Sequence, residues 1–172
     1  MAIAKTAHIN IIKLADVNVS ATQLDPCNAA ENMTNCSNQW VLLNHQVGNL
    51  QGERGDHFDF MVSPPDSGPL WTWAIADNPL SKQLISQTQP LECSVERLPD
   101  HRRVYLDYEG PISGGRGEVR QVARGSYEVV SWDEKQVELR MQLDRFTDCE
   151  LQFLITFTQR SQDWHLIWAV LQ

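Results

Sequence analysis

Short stretches in which apolar and polar residues alternate dominate the chain, and this period of two is typical of β-strands with one buried face. From 137 to 143 the odd positions are apolar and the even positions are charged or amide side chains. The segment 151–158 repeats the alternation, and the polar turn 161–163 joins it to the last apolar stretch. The pattern predicts ten strands, at 40–44, 57–62, 70–76, 93–98, 103–108, 117–123, 127–132, 137–143, 151–158 and 164–171.

Many short strands with tight turns and little helix indicate an all-β protein, either a barrel or a sandwich. Residues 78–86 are compatible with a short helix or a loop. Residues 1–39 differ from the rest, because 17–38 is rich in Asn, Ser, Thr and Ala and has little periodicity. We therefore expect an extended or partly ordered N-terminal arm at 1–39 and a single β-domain at 40–172.

Composition narrows the class of protein. A length of 172 residues suits one domain, and no apolar run is long enough for a membrane helix, so no membrane partner is expected. The net charge of −8 and the pI of about 5.0 argue against extended binding to duplex nucleic acid, although they allow a local basic pocket for one phosphate. The four cysteines form no C-x-x-C pair, and without a recognisable secretory signal we favour thiols in a reducing cytoplasm over two disulfides.

His57 and Asp59 form the first candidate constellation. In a strand at 57–62, these two side chains share a face with Met61, whereas Phe58 and Phe60 point the opposite way. The aromatic face predicts contact with the core and leaves the His and Asp facing a polar space. The alternative is the solvent-facing side of an edge strand.

A second constellation follows at 100–110. If 103–108 is a strand, His101, Arg103, Tyr105 and Asp107 share one face, which would suit a site for a metal and a phosphate. A solvated charged strand is the alternative. The glycine-rich segment 110–117 comes next; such a loop can hold phosphate with backbone N–H groups, or it can be a long turn.

Four motifs in order resemble the phosphoesterase domain of bacterial DNA ligase D. They are His57-Phe-Asp59, Trp71-Thr-Trp73-Ala-Ile, Asp100-His101 with Tyr105, and Tyr108-Glu-Gly-Pro-Ile-Ser-Gly-Gly-Arg-Gly. The resemblance covers about 40–171. It implies a compact antiparallel β-barrel around a polar cavity and a stand-alone version of the domain.

The resemblance also implies an activity, a cofactor and a set of site residues. The activity is a manganese-dependent trimming of nucleic-acid 3′ ends in DNA repair, in which a 3′-ribonucleotide or a 3′-phosphate is removed. By position, the metal ligands are His45, Asp59 and His101, and two His with one carboxylate suit Mn²⁺ or Zn²⁺. His57 and Tyr105 match the residues that contact the scissile phosphate.

Three departures from the family pattern bear on activity. His45 and His57 are twelve residues apart, which requires an inserted loop at 47–55, and Met61 and Ala76-Asp77 stand where the family has an Arg and a Lys. Arg103 and Arg116 are the candidate replacements for these cations. The alternatives to an enzyme are a catalytically silent relative that acts as a binding module, and an unrelated barrel that binds a small ligand.

Overall fold

The computed structural model describes residues 38–48, 54–81, 89–144 and 152–171, all within one compact unit that spans 34–172. Nine strands and one short 3₁₀ helix account for most of these residues. In chain order they are β1 (Gln39–Gln46), β2 (His57–Val62), β3 (Leu70–Ile75), β4 (Leu91–His101), the 3₁₀ helix (Arg103–Leu106), β5 (Gly110–Pro111), β6 (Glu118–Trp132), β7 (Gln136–Leu143), β8 (Gln152–Arg160) and β9 (Asp163–Leu171).

The strands form one antiparallel sheet that returns on itself. Its order is β1-β2-β3-β4-β9-β8-β7-β6-β5, and an additional pairing of β1 with β6 joins the two sides into a closed ring of eight strands. The short β5 adds to β6 outside this ring. The predicted all-β class is therefore confirmed, and helix is a minor component of the described residues.

Aromatic side chains fill the interior of the ring. Phe60 of β2 meets Trp168 of β9 with ring centroids 5.8 Å apart, and Trp73 of β3 stacks on Phe157 of β8 at 4.0 Å. Neither pair belongs to neighbouring strands, so both contacts cross the interior. The expected polar cavity inside a barrel is therefore wrong, because burying these large apolar surfaces stabilises the fold and leaves the interior to the hydrophobic core.

The expected strand at 103–108 is also wrong, because the chain forms a 3₁₀ turn there. The backbone N–H of Tyr105 donates to Arg102 O at 3.2 Å, and that of Asp107 donates to Val104 O at 3.2 Å. Tyr105 and the next residue, Leu106, are both buried, whereas an alternating strand would bury only one of them. Consequently, the chain does not form the single strand face that was expected to carry His101, Arg103, Tyr105 and Asp107.

The two strands expected at 117–123 and 127–132 are one continuous strand, β6. Gly125 lies in the interval between the two expected strands, and it belongs to the ladder opposite Leu143 and Trp40. A Cβ at this position would lie 1.9 Å from Gln142 O and 2.8 Å from Trp40 Nε1. Glycine here serves a close approach between strands and not a turn.

A second apolar layer covers the outer face of β1 and β2. Tyr105 and Leu106 pack against Val41, Leu43 and Met61, which point away from the ring interior. The connection that follows β4 therefore crosses over the outside of the sheet. It forms one wall of a cavity on that outer face.

Some predictions fall wholly or partly outside the described residues. They include the N-terminal arm before Asn38 and three of the four cysteines, Cys27, Cys36 and Cys149. At 78–86, residues 79–81 are helical and Asn78 Oδ1 accepts the backbone N–H of Leu80 at 3.0 Å, which is the expected cap of a helix start; residues 82–88 are not described. In the part of the chain that is described, no helix is long and apolar enough to cross a membrane.

Candidate metal centre

The pairing of β1 with β2 brings two histidines and an aspartate together on the outer face of the sheet. His45 lies directly opposite His57, and Leu43 lies opposite Asp59. Because side chains alternate along a strand, His57 and Asp59 share one face, while Phe60 enters the core. The predicted division of this strand into an aromatic core face and a polar face is confirmed.

The three side chains present their polar atoms to one point. His45 Nδ1 lies 3.3 Å from Asp59 Oδ2, and His57 Nε2 lies 3.3 Å from Asp59 Oδ1. One ligand atom from each residue lies within 4.8 Å of the others. Ligands at about 2.1 Å from a common zinc-like ion are separated by roughly 3.0 to 3.4 Å, so the two His–Asp distances of 3.3 Å suit a shared cation.

Backbone carbonyls define which nitrogen of each ring carries a proton. His45 Nε2 lies 2.8 Å from Arg116 O, and His57 Nδ1 lies 2.8 Å from Gly55 O. A carbonyl oxygen only accepts, so each of these nitrogens donates an N–H, and the neutral ring has its lone pair on the nitrogen that faces Asp59. Histidines that ligate metals are held by this type of outer hydrogen bond.

Asp59 is a buried carboxylate with an unsatisfied oxygen. The residue is 3% exposed, and its Oδ1 has no hydrogen-bond donor among the described residues. With both imidazoles neutral, two lone pairs and a carboxylate converge, which is unfavourable without a positive charge between them. A proton on an imidazole or a metal ion would supply that charge, so the donor set fits a divalent cation.

The ionisation of the cluster reflects the same convergence. Burial alone would raise the pKa of Asp59, but His45 and His57, which donate to it when protonated, lower it to about 2. The hydrogen bond to Asp59 raises the pKa of His45 above 6.5, against the opposing effect of burial. The metal-free cluster therefore keeps a carboxylate charge and favours a proton on His45.

The cluster lies in an open cavity of about 670 Å³ between the sheet and the connection that crosses it. Arg102 and Arg116 line this cavity, and no carboxylate lies within salt-bridge distance of either guanidinium among the described residues. The lining carboxylates Glu96 and Asp100 are paired with Arg54 and with an arginine of β4. The two remaining guanidinium groups make this cavity a favourable place for an anion.

The structure brings most of the predicted site residues together, with two differences. His45, His57 and Asp59 form the cluster, and His101, Tyr105 and Arg116 line the same cavity. His57, expected at the scissile phosphate, takes the place in the ligand group that was expected for His101.

Arg103 is the second difference. Its Nη1 donates to Ser63 Oγ at 2.8 Å and to Gly68 O at 3.2 Å, so it holds the β2–β3 connection and does not line the cavity. The neighbouring Arg102 lines the cavity instead, with its guanidinium 5.8 Å from the ring of Tyr105. Sequence reasoning missed Arg102 because it treated the segment as a strand; a 3₁₀ turn changes which side chains share a surface.

His101 lies at the end of β4 and lines the same cavity as the cluster. Its Nδ1 lies 2.8 Å from Pro99 O and donates to it, which leaves Nε2 available to a ligand in the cavity. The ring contacts Tyr105 edge-on with centroids 5.6 Å apart. These two side chains therefore form a polar part of the cavity wall.

No protein-family model matches the chain, and no curated protein is detectably similar to it. The chemistry of the site is therefore argued from its own residues.

Proposed function

We propose that the protein is a divalent-metal-dependent phosphoesterase that removes a 3′-phosphate or a 3′-ribonucleotide from nucleic-acid ends in DNA repair. The observation that carries the proposal is the convergence of His45, His57 and Asp59, each imidazole oriented by a backbone carbonyl. The cavity also contains two arginines, Arg102 and Arg116, that have no carboxylate partner among the described residues. The motifs that resemble the phosphoesterase domain of DNA ligase D supply the substrate class.

The chemistry of the proposal divides between the cation and the protein. Mn²⁺, or Zn²⁺, would be held by His45, His57 and Asp59, and it supplies a Lewis acid that polarises a phosphoryl oxygen and acidifies water. The guanidinium groups of Arg102 and Arg116 would bind the remaining phosphate oxygens. In this proposal they replace the Arg and Lys of the family pattern, where this chain has Met61 and Ala76-Asp77.

His101 and Tyr105 are the side chains available for proton transfer and orientation at the scissile phosphate. The backbone contact of His101 uses Nδ1, so Nε2 is available to hold or transfer a proton at the phosphate. The hydroxyl of Tyr105 would donate to a phosphate oxygen. The site is thus proposed to grip one terminal phosphate and not an extended duplex, in keeping with the net charge of −8.

The test is phosphate release from an oligonucleotide that ends in a 3′-phosphate, at pH 7.5 with added MnCl₂. We expect release that EDTA abolishes, that Asp59→Asn reduces by at least about 1,000-fold, and that a matched 5′-phosphate oligonucleotide does not give. Binding of Mn²⁺ is measured in parallel by calorimetry. An absence of Mn²⁺ binding would refute the metal centre.

A binding module without catalysis is the second candidate. The observation that favours it is Met61, an apolar side chain that lines the cavity where the family pattern has a cation. In that case the protein would bind Mn²⁺ and a 3′-phosphate end, and Arg102→Ala would weaken the binding of that end, but no phosphate would be released. The same assay therefore separates the two candidates.

A further inference from the structure

We infer that Gly117 is a positioning residue, which lets the 112–117 loop approach β1 closely enough for Arg116 O to fix the tautomer of His45. The inference rests on the proposed function only for its effect on metal affinity. The tautomer itself is a property of the metal-free protein.

The loop meets β1 by direct backbone contact. The loop connects β5 to β6, which pair with each other. It is closed by the backbone N–H of Ile112, which donates to Gly117 O at 2.7 Å. Gly117 has φ of +87°, and a Cβ there would lie 1.9 Å from Gln46 O and 2.7 Å from Val47 Cα. Both atoms belong to the backbone, so they do not move aside as a flexible side chain would.

The loop and the metal cluster are joined one residue earlier. Arg116 O accepts the Nε2–H of His45 at 2.8 Å. A side chain at Gly117 would have to move the loop away from β1 by about 1.5 Å before ordinary contact is restored, which lengthens this bond beyond hydrogen-bonding range. His45 would then be free to place its proton on Nδ1, the nitrogen that faces Asp59.

The consequence for a cation follows from the tautomer. A metal ligand needs an unprotonated nitrogen directed at the ion, and the outer hydrogen bond keeps that nitrogen available. Loss of such an outer bond typically weakens metal binding about 10- to 100-fold. Gly117 would therefore set the metal affinity without contacting the metal.

The chain provides a matched control in the same loop. Gly114 also has a positive φ, +79°, but a Cβ at that position meets nothing within 4 Å. Gly114→Ala and Gly117→Ala thus share the backbone strain of alanine at a positive φ, and only the second also pushes against β1. A difference in Mn²⁺ affinity between the two variants therefore measures the effect of the contact with β1.

The experiment has two measurements. The first is the ¹⁵N spectrum of the imidazoles in the metal-free wild-type protein at a pH at which His45 is neutral; the proton is expected on Nε2. The second is Mn²⁺ affinity by calorimetry at pH 7.5. We expect a 10- to 100-fold weaker Kd for Gly117→Ala and a change of no more than about threefold for Gly114→Ala.

The outcomes separate this inference from the proposed function. A proton on Nδ1 of His45 in the wild-type protein, or a folded Gly117→Ala variant with wild-type Mn²⁺ affinity, would overturn the inference. If Gly117→Ala does not fold, the wild-type tautomer decides. If the wild-type protein binds no Mn²⁺, the proposed function fails, and the tautomers of His45 in the wild-type and Gly117→Ala proteins decide the inference alone.

Discussion

The identity of the second imidazole in the proposed metal centre is the most direct test of the site. Position in the family pattern assigns it to His101, whereas the register of β1 and β2 assigns it to His57. We compare His57→Gln with His101→Gln. Glutamine retains a polar side chain of similar length, so each variant removes one imidazole with little change in volume.

The magnitude follows from the distances in the cluster. His57 Nε2 is 3.3 Å from Asp59 Oδ1 and its opposite nitrogen is held by Gly55 O, so our proposal makes it a direct ligand. Loss of an outer partner costs about 10- to 100-fold in metal affinity, and loss of a direct ligand should cost at least the upper figure, which is about 2.7 kcal/mol. His101 is outside the three-residue group, so we expect His101→Gln to change Mn²⁺ affinity by less than about 10-fold.

The assay is titration calorimetry with MnCl₂ at pH 7.5, followed by phosphate release from a 3′-phosphate oligonucleotide. We expect His57→Gln to lose both metal binding and activity, and His101→Gln to retain the metal while losing activity. Thermal unfolding of both metal-free variants checks that His57, which is buried, has been replaced without loss of the fold. Wild-type Mn²⁺ affinity in a folded His57→Gln protein would refute the ligand set.

Four further results are expected. Mn²⁺ affinity should fall by up to 10-fold for each unit that the pH drops below the raised pKa of His45, because the cation competes with the proton on Nδ1; calorimetry across pH 5.5–8.5 measures this dependence. In the metal-free protein, protonated His45 contributes stability that is present below pH 6.5 and is lost as the pH rises through its raised pKa. Asp59, with its pKa of about 2, contributes stability that is lost as the pH falls from 3.8 towards 2. The free energy of unfolding, measured with urea across this pH range, should therefore be greatest between pH 3.8 and pH 6.5. Tyr105→Phe should slow phosphate release while leaving Mn²⁺ affinity within about threefold, since the hydroxyl is assigned to the phosphate and not to the cation; a large loss of Mn²⁺ affinity would contradict that assignment. Phe157→Ala, in the centre of the ring, should lower the free energy of unfolding by about 3–5 kcal/mol, against less than about 0.5 kcal/mol for Val129→Ala on the surface, as measured by urea denaturation.

The strands were largely predictable because the alternation of apolar and polar residues depends only on local geometry. The bounds of β2 match the prediction, and those of β7 differ from it by one residue. The errors fall where the chain departs from alternation for a tertiary reason. Around Gly125, between two expected strands, the strand continues because the glycine allows a close contact between strands. At Tyr105 and Leu106 the burial of two consecutive residues requires a 3₁₀ turn that no period of two describes.

The position of the cavity was not predictable from the same pattern. Alternation divides each strand into an apolar and a polar face, but it does not say which face turns inward when the sheet closes. The Trp and Phe side chains decide this, because their large apolar surfaces gain the most from burial in the ring. The polar face of β2 consequently lies outside, and it gains its second wall from the connection after β4.

The ligand set shows which sequence spacings carry information and which do not. His57 and Asp59 lie two residues apart on one strand, so their shared face follows from the backbone alone. His45 lies on the partner strand, and its separation of twelve residues from His57 departs from the family pattern and requires an inserted loop. In an antiparallel pair, however, the number of residues between two strands is absorbed by the connection, and only the register determines which side chains are opposite each other. The register pairs His45 with His57 directly, so the longer spacing is compatible with the cluster. The opposite holds for His101, which is in the expected order along the chain: β4 ends at that residue, and it lines the cavity without joining the three-residue group.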